Sequence, residues 1–349
     1  MTSSQTSFII NVNMMHISLK ELAAKSGFSA NTISRALRNK SDVKEDTRIF
    51  IHKLAREMGY IPNNIAKSLR LGKTKTIGVI SADSSNPFFA AVILGIENAA
   101  REHNYHILLV NTEEKIENER EAIHIFIERQ VDGLLLMPIS GEQSNIEYIK
   151  SLPIPFLLVG RWLPGLEDHS VMSDDYEKAK EITSIFIENG HKDILHLAGP
   201  SFVSSSADRV AGYRDALIAA NLPIKEDLII ETNGHIEDGY RQINSLIRNE
   251  ISFTAIFAFN DLVALGALRA IKEAGFLVPK DIQVMGFDDL EYSHYLYPSL
   301  SSVCIPKRQL GRLAFEKLYE HLQNINLDYQ KLMLESRIIL RETTSFKEP

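Results

Sequence analysis

From Thr76 onward the chain alternates short apolar runs with segments of helical periodicity, and that alternation leaves few architectures open. The runs are 76–82 (TIGVISA), 106–112 (HILLVNT), 133–139 (GLLLMPI), 156–160 (FLLVG), 194–199 (ILHLAG), 228–232, 255–259 (AIFAF) and 282–287 (IQVMGF). Helical segments lie between them at about 87–103, 117–130, 175–189, 207–220, 236–248 and 261–274. Strands that are apolar without interruption are buried on both faces, and helical crossovers between them make neighbouring strands parallel. The span from about 76 to 341 is too long for one such sheet, so the expected core is α/β, built from two doubly wound parallel-sheet lobes. The expected division puts lobe one at about 76–173 and 304–330, and lobe two at about 174–303 and 331–345. Ligands of open α/β sheets sit beyond the carboxyl ends of the strands. In a two-lobed molecule those ends can face one shared cleft.

Polar and aromatic residues collect at those strand ends. Asp83, Asn86, Pro87, Phe88 and Phe89 follow the first run, and Arg161 and Trp162 follow 156–160. Asp174 and Asp175 come after a short 171–173 segment, and Arg209 opens the helix beyond Gly199-Pro200. Asn260-Asp261 and Asp288-Asp289 end the last two runs. Carboxylates, amides and guanidinium groups beside flat apolar rings suit a sugar: its hydroxyls take hydrogen bonds while its C–H faces lie on the rings. Asn260 and Asp261 serve equally well as helix caps, Asp174 and Asp175 read as caps rather than ligands, and Phe89 reads as core. There is no G-x-S-x-G elbow, no zinc-spaced histidine pair and no complete glycine-rich nucleotide fingerprint. No catalytic residue, cofactor or metal ligand is therefore assigned.

The segment before this core has a different texture. Ile17 to Leu37 reads ISLKELAAKSGFSANTISRAL. Ser18 with Glu21 forms a potential capping box, Leu19, Leu22 and Ala23 share one face, and Gly27 can end the helix in a left-handed conformation. Ser29 can cap a second helix whose apolar face is Ile33, Ala36 and Leu37. Its other face carries Ala30, Asn31, Ser34, Arg35 and Arg38, small, polar and basic. This is a helix-turn-helix with its recognition helix at about 29–37. A third helix is expected at about 45–58, ended by Gly59. Pro62 and Asn63 then start a short segment, 63–70, that is helix-competent but too brief to be helical alone in water.

Charge supports that division. Residues 16–75 hold 13 Lys/Arg against 5 Asp/Glu, whereas the remainder holds 25 against 40. A basic head on an acidic body points to a polyanion partner for the head alone. The single cysteine, Cys304, rules out a disulfide framework within one chain. No run approaches the ~18–20 apolar residues of a membrane span, and residues 7–15 lack the marks of a signal peptide, so a cytoplasmic location is expected. Residues 1–15 are expected to be a disordered extension, 16–62 the DNA-binding domain, and 63–75 a hinge helix and linker.

Taken together, the chain resembles the lactose/galactose repressor family over nearly all of residues 16–345. The motifs that carry the resemblance are SxxELAxxxGxSxxTxSRAL at the start, GYxPNxxAxxL at the hinge, NPFF after the first core run, DRxxGYxxAL at 208–217, FNDxxAxGAxRAxxExG at 259–275 and VxGFDD at 284–289. The resemblance implies a homodimeric repressor of transcription that binds a near-palindromic operator in double-stranded DNA and is controlled by a sugar-type effector between two lobes. It makes Ala30 and Asn31 specificity positions and Arg35 the guanine reader, a role arginine fits by pairing with O6 and N7. Ser18, Ser29, Thr32, Ser34, Arg38 and Asn63 join the DNA surface. Leu69 becomes the apolar wedge of the hinge, and Ala66 packs between two hinge helices. In the cleft it implies that Asp83, Phe88, Arg161, Arg209, Asn260 and Asp288 meet the effector. Two departures stand out. Gly160-Arg161 replaces an aspartate that begins this loop in the lactose repressor, and Gly234-His235 stands where an aromatic ring often stacks on the ligand. A solute-binding protein of the transport type, a corepressor-dependent regulator of non-sugar type, and a sugar-modifying enzyme are the alternatives.

Overall fold

A computed structural model describes residues 17–60, 72–139 and 141–345. The chain divides into two compact units, one ending at Thr74 and one beginning at Lys75, each with its own core.

The first unit contains α1 (Leu19–Ser26), α2 (Ala30–Leu37) and α3 (Glu45–Glu57). The capping box forms: Glu21 N donates to Ser18 Oγ at 3.2 Å, and Ser18 N donates to the Glu21 carboxylate at 2.7 Å. Two of the four orphan donors of α1 are thereby satisfied reciprocally. Gly27 ends α1 at φ 76°, and Thr32 N donates to Ser29 Oγ at 3.1 Å to start α2. Leu22, Ile33, Ala36 and Ile51 are fully buried and make a small core with Val43 and Ala55. The His52 ring nitrogen Nε2 lies 3.2 Å from Ala36 O and 3.1 Å from Asn39 Oδ1, which pins α3 to the end of α2. The expected extension and the hinge segment with Asn63, Ala66 and Leu69 lie outside the described residues.

The second unit starts with β1 (Thr76–Ser81), α4 (Pro87–Glu102), β2 (His106–Asn111), α5 (Ile116–Glu128), β3 (Gly133–Leu136), α6 (Gln143–Lys150), β4 (Phe156–Val159) and β5 (Ser170–Ser173). It continues with α7 (Asp175–Glu188), β6 (Ile194–Ala198), α8 (Ser204–Ala219), β7 (Ile229–Glu231), α9 (Ile236–Arg248), β8 (Ala255–Ala258), α10 (Asp261–Glu273) and β9 (Gln283–Met285). It closes with β10 (Ser302–Cys304), α11 (Lys307–Gln323), β11 (Leu332–Leu334) and β12 (Arg337–Ile339). Among the described residues, no helix is long and apolar enough to cross a membrane.

Two parallel sheets result. One has the order β11-β5-β4-β3-β1-β2, the other β7-β6-β8-β9, and β10 pairs with β12 antiparallel. The strand order reverses between β1 and β3 in the first sheet and between β6 and β8 in the second. Those are the two places where an open sheet leaves a crevice at its carboxyl edge. Helix α11 crosses back to the first lobe, where Leu310, Ala314, Phe315 and Leu318 join the core around β1 and β4. It lies against α4 backbone to backbone: a Cβ on Gly95 would fall 2.1 Å from Arg308 O, and one on Gly311 would fall 2.0 Å from Val92 O.

Three expectations need correction. Residues 331–345 do not all belong to the second lobe, because Leu332–Leu334 pairs in parallel with β5 at the edge of the first sheet. Residues 332–341, expected as one last strand, form two, broken at Glu335-Ser336, where Ser336 N turns aside to donate to Asp174 Oδ1 at 2.9 Å. Helix α8 begins at Ser204, so Arg209 lies in its second turn instead of opening it. Helix α6 has no expected counterpart; it is eight residues long and has no side-chain N-cap to announce it.

Candidate functional site

Loops from the carboxyl ends of both sheets surround a small cavity of about 60 Å³. Lobe one contributes Asp83, Asn86, Phe88, Phe89, Glu114, Gly160, Arg161 and Ser173; lobe two contributes Pro200, Ser205, Arg209, Asn233, Gly234, His235, Phe259, Asn260 and Asp288. The six cleft residues singled out in the sequence therefore all reach this one cavity.

Each polar group there is held by a specific neighbour. Arg209 is clamped by Asp175, with Nε donating at 2.8 Å and Nη2 lying 2.6 Å from the same carboxylate oxygen, and its Nη1 donates to Phe259 O. Its guanidinium carbon sits 3.6 Å from the Phe287 ring centroid and 4.7 Å from that of Phe259. A guanidinium has five N–H donors, so this arrangement fixes its orientation and still leaves donors for a ligand. Asp175 is thus the buried partner of Arg209, not a helix cap. Arg161 forms a two-pronged pair with Glu114 at 2.9 and 2.7 Å, donates to Pro138 O at 3.0 Å, and lies over the Phe89 ring. Phe89 is both core and wall.

Asn260 does both jobs open to it. Val263 N donates to its Oδ1 at 2.8 Å, which caps α10, and its Nδ2 donates to Gly234 O at 2.9 Å, which holds the 233–235 loop. Asp261 is structural: it accepts from Leu290 N, Ser293 Oγ and Ser302 Oγ, and burial raises its carboxyl to a pKa of about 6 against those bonds. Asp83 accepts from Ser85 N at 2.9 Å and Ser85 Oγ at 2.6 Å.

Asp288 differs from the others. It is 5% exposed, adopts φ 106°, and its carboxyl makes no hydrogen bond among the described residues. Burial pushes its pKa up to about 8; the positive charges of Arg209 and Lys307 oppose that rise, and Asp261 and Asp175 add to it. A buried, unpartnered carboxyl facing a cavity is a costly arrangement for folding alone, and such strain concentrates at binding sites.

Sequence reasoning missed Phe259, Glu114, Ser173, Ser205 and Asn233. Phe259 hides as the last apolar residue of the AIFAF run, yet it supplies the ring that the Gly234 position lacks; a Cβ at Gly234 would lie 3.6 Å from that ring. Trp162 does not line the cavity. Its backbone N donates to Ser204 Oγ and its Nε1 to Asp208, both at 2.9 Å, so it links the lobes at their junction. Among the described residues, no group of three or more His, Cys, Asp or Glu could hold a metal ion.

On the helical unit, Ser18, Ser29, Asn31, Arg35 and Arg38 are exposed, and Ala30, Thr32 and Ser34 are half-buried. Arg35 pairs with Asp42. Arg38 folds back, donating through Nε to Ser34 O at 2.8 Å and through Nη2 to Ser34 Oγ at 2.9 Å. Ser29 and Thr32 hydroxyls lie 2.9 Å apart. The α2 face is therefore presented, but its polar groups are provisionally occupied by one another.

Residues 74–334 match the family model of periplasmic binding proteins and the sugar binding domain of the LacI family, and residues 18–63 match that of bacterial regulatory proteins, lacI family. The chain belongs to the LacI family. It is a transcriptional repressor with a DNA-binding head and a ligand-binding core, as the curated LacI-family relatives are. It is 32% identical to the ribose operon repressor of Haemophilus influenzae over 326 residues, 93% of this chain and 98% of that one. It is 32% identical to the transcriptional repressor PurR of Actinobacillus pleuropneumoniae over 329 residues, 93% and 97% of the two chains. Among solved LacI-type structures, the Lac repressor bound to ONPG in the repressed state is 26% identical, with a TM-score of 0.85 over 94% of this chain and 99% of that one. The complex of the transcriptional regulator CelR with cellobiose is also 26% identical, with a TM-score of 0.73 over 94% and 100%.

Proposed function

We propose that this repressor acts in the cytoplasm as a homodimer on a near-palindromic operator, and that a small sugar bound between its lobes releases it. The observation that carries the sugar reading is the cavity itself. Fixed donors on Arg209, Arg161 and Asn260, acceptors on Asp83 and Asp288, and the rings of Phe88 and Phe259 converge there from both lobes. Hydroxyls can pair with the former while C–H faces lie on the latter. The likeness to the ribose operon repressor supports a sugar; the likeness to PurR supports a purine base as the rival ligand.

In the head, Ala30, Asn31 and Arg35 read bases in the major groove, and Ser18, Ser29, Thr32, Ser34 and Arg38 fix register on the phosphates. Asn63, Ala66 and Leu69 are assigned to the hinge. Two heads are required because a single one makes few contacts, and linking two raises binding through effective concentration. The regulated genes are those of carbohydrate metabolism. A ligand can shift operator affinity only by binding the released and DNA-bound states with different affinities.

The test takes the full chain, selects its operator from a random pool, and measures the gel-shift midpoint with each of a panel of sugars, sugar phosphates and purine bases. The expected result is that one sugar raises the protein's melting temperature and weakens the operator complex. If a purine base does this instead, or strengthens the complex, the sugar-inducer reading falls.

A further inference from the structure

The cavity of Arg209 and Asp288 adjoins a second, larger space of about 490 Å³, and the two share Asp83, Glu114, Pro200, Asn233 and His235 as common walls. We infer that this outer chamber is a second subsite, and that the effector is an uncharged oligosaccharide of at least two rings whose second ring lies against Phe202. The inference rests on the sugar reading above and goes beyond it.

Three independent features of the chamber agree. Phe202 lines it as a large apolar side chain with 48% of its surface exposed. An aromatic face left open on the wall of a polar chamber suits the C–H face of a pyranose. Hydrogen-bonding capacity is also left over: the Nδ2 of Asn233 and the side-chain amide of Gln242 make no hydrogen bond among the described residues. Amides of this kind pair with vicinal hydroxyls as donor and acceptor at once.

Charge decides the class of ligand. Five carboxylates face the chamber; Glu113, Glu114 and Asp238 are paired with Lys115, Arg161 and Arg241, which leaves Asp83 and Glu231 as its uncompensated charges and no uncompensated guanidinium. A chamber walled by carboxylates repels a phosphate or a uronate and tolerates a neutral glycan. The inner cavity points the same way, because both its guanidinium groups are matched to Glu114 and Asp175. The rim is held rigidly: Glu113 and Glu114 both adopt left-handed backbone, φ 54° and 56°, and Thr112 anchors them by donating to Ser81 O at 3.1 Å. Two adjacent non-glycine residues in that conformation are the kind of local strain found where a loop must place side chains for binding.

The test is calorimetric titration of the full chain with matched probes: glucose against maltose and cellobiose, galactose against lactose and melibiose, fructose against sucrose, then glucose 6-phosphate and trehalose 6-phosphate, with ribose and hypoxanthine as controls. One neutral disaccharide should bind at least about tenfold tighter than either of its monosaccharides, a step that one additional stacked and hydrogen-bonded ring readily supplies. Phe202→Ala should weaken that disaccharide by roughly five- to tenfold while leaving the monosaccharide within about twofold. Gln242→Ala serves as the second variant, and unchanged melting of both apo-proteins confirms folding. Tightest binding by a monosaccharide or a phosphorylated sugar overturns the second subsite, as does a Phe202→Ala variant that binds the disaccharide normally; the sugar reading survives either result. A protein that ignores every sugar, whether or not hypoxanthine binds, overturns both.

Discussion

Replacing Asp288 by Asn should make the protein more stable, and the gain should grow with pH. The folded carboxyl has a pKa near 8 against an ordinary 3.8 because burial disfavours its charge. Between those values the native state holds a proton that the unfolded chain has released. Stability from this group therefore falls as pH rises from about 4 to about 8 and is level beyond. An interval of about four pH units corresponds to roughly 5–6 kcal/mol at most. Asn carries no proton to lose, tolerates the left-handed conformation at φ 106° better than most residues, and replaces one unpartnered polar group by another of equal size. The two proteins should thus agree within about 1 kcal/mol near pH 4.5, and the variant should lead by roughly 3–5 kcal/mol at pH 8. Urea unfolding followed through Trp162, the only tryptophan, reports on the core directly. Residual curvature near pH 6 in both proteins belongs to Asp261, whose carboxyl is raised to about 6 by burial. A stability difference that stays constant from pH 4.5 to 8 would refute the reasoning. Above about pH 8, where the carboxyl ionises, the same substitution should weaken the effector, since the amide is a poorer acceptor than the carboxylate it replaces; stability would then be gained at the expense of binding, the trade-off expected of a functional site.

Arg209→Met should destabilise the core by roughly 3–5 kcal/mol, because it strands Asp175 as a buried charge without a counter-charge, and should abolish the thermal response to the effector. Arg35→Ala should leave melting within about 1 kcal/mol of the parent, since its pair with Asp42 is half-exposed. In a binding-site selection the same variant should lose roughly 1–3 kcal/mol and relax one base position; an unchanged operator preference would remove Arg35 from the reading face. Gly311→Ala should cost about 1–3 kcal/mol in denaturant unfolding, because the new methyl group would meet Val92 O and force α11 away from α4.

Much of this molecule is legible in its sequence, for physical reasons that also explain the gaps. Apolar runs such as AIFAF and GLLLMPI announce buried parallel strands because nothing else tolerates them. The head is legible because capping chemistry is local: Ser18, Glu21, Gly27 and Ser29 act within a few residues of themselves. What stayed hidden depends on distant partners. Asp175 reads as a cap because its neighbour in sequence is a helix start, yet its charge is spent on Arg209, 34 residues away. Glu114 lies in a loop of ordinary composition and becomes part of the site only through Arg161. The 332–341 run reads as one strand because the break at Ser336 is made by a hydrogen bond to Asp174, which no local pattern encodes.

The pairing inside the cavity also bears on how a ligand could act as a switch. Arg161 and Arg209 each have their partners within one lobe, Glu114 with Pro138 and Asp175 with Phe259, so neither needs the ligand to be satisfied. Contacts that cross the lobes beside the cavity are of another kind: Trp162 reaches Ser204 and Asp208 through two neutral-donor hydrogen bonds. The two together are worth roughly 2–4 kcal/mol in net terms, the one to the Asp208 carboxylate being the stronger, which a ligand held by both lobes can exceed. A ligand that fills the cavity from both walls contributes only where both walls are present. Its binding energy therefore falls almost wholly on the closed arrangement, which is the differential affinity that a population shift requires. Prepaired guanidinium groups lower the cost of that step, because the donors are already oriented when the ligand arrives.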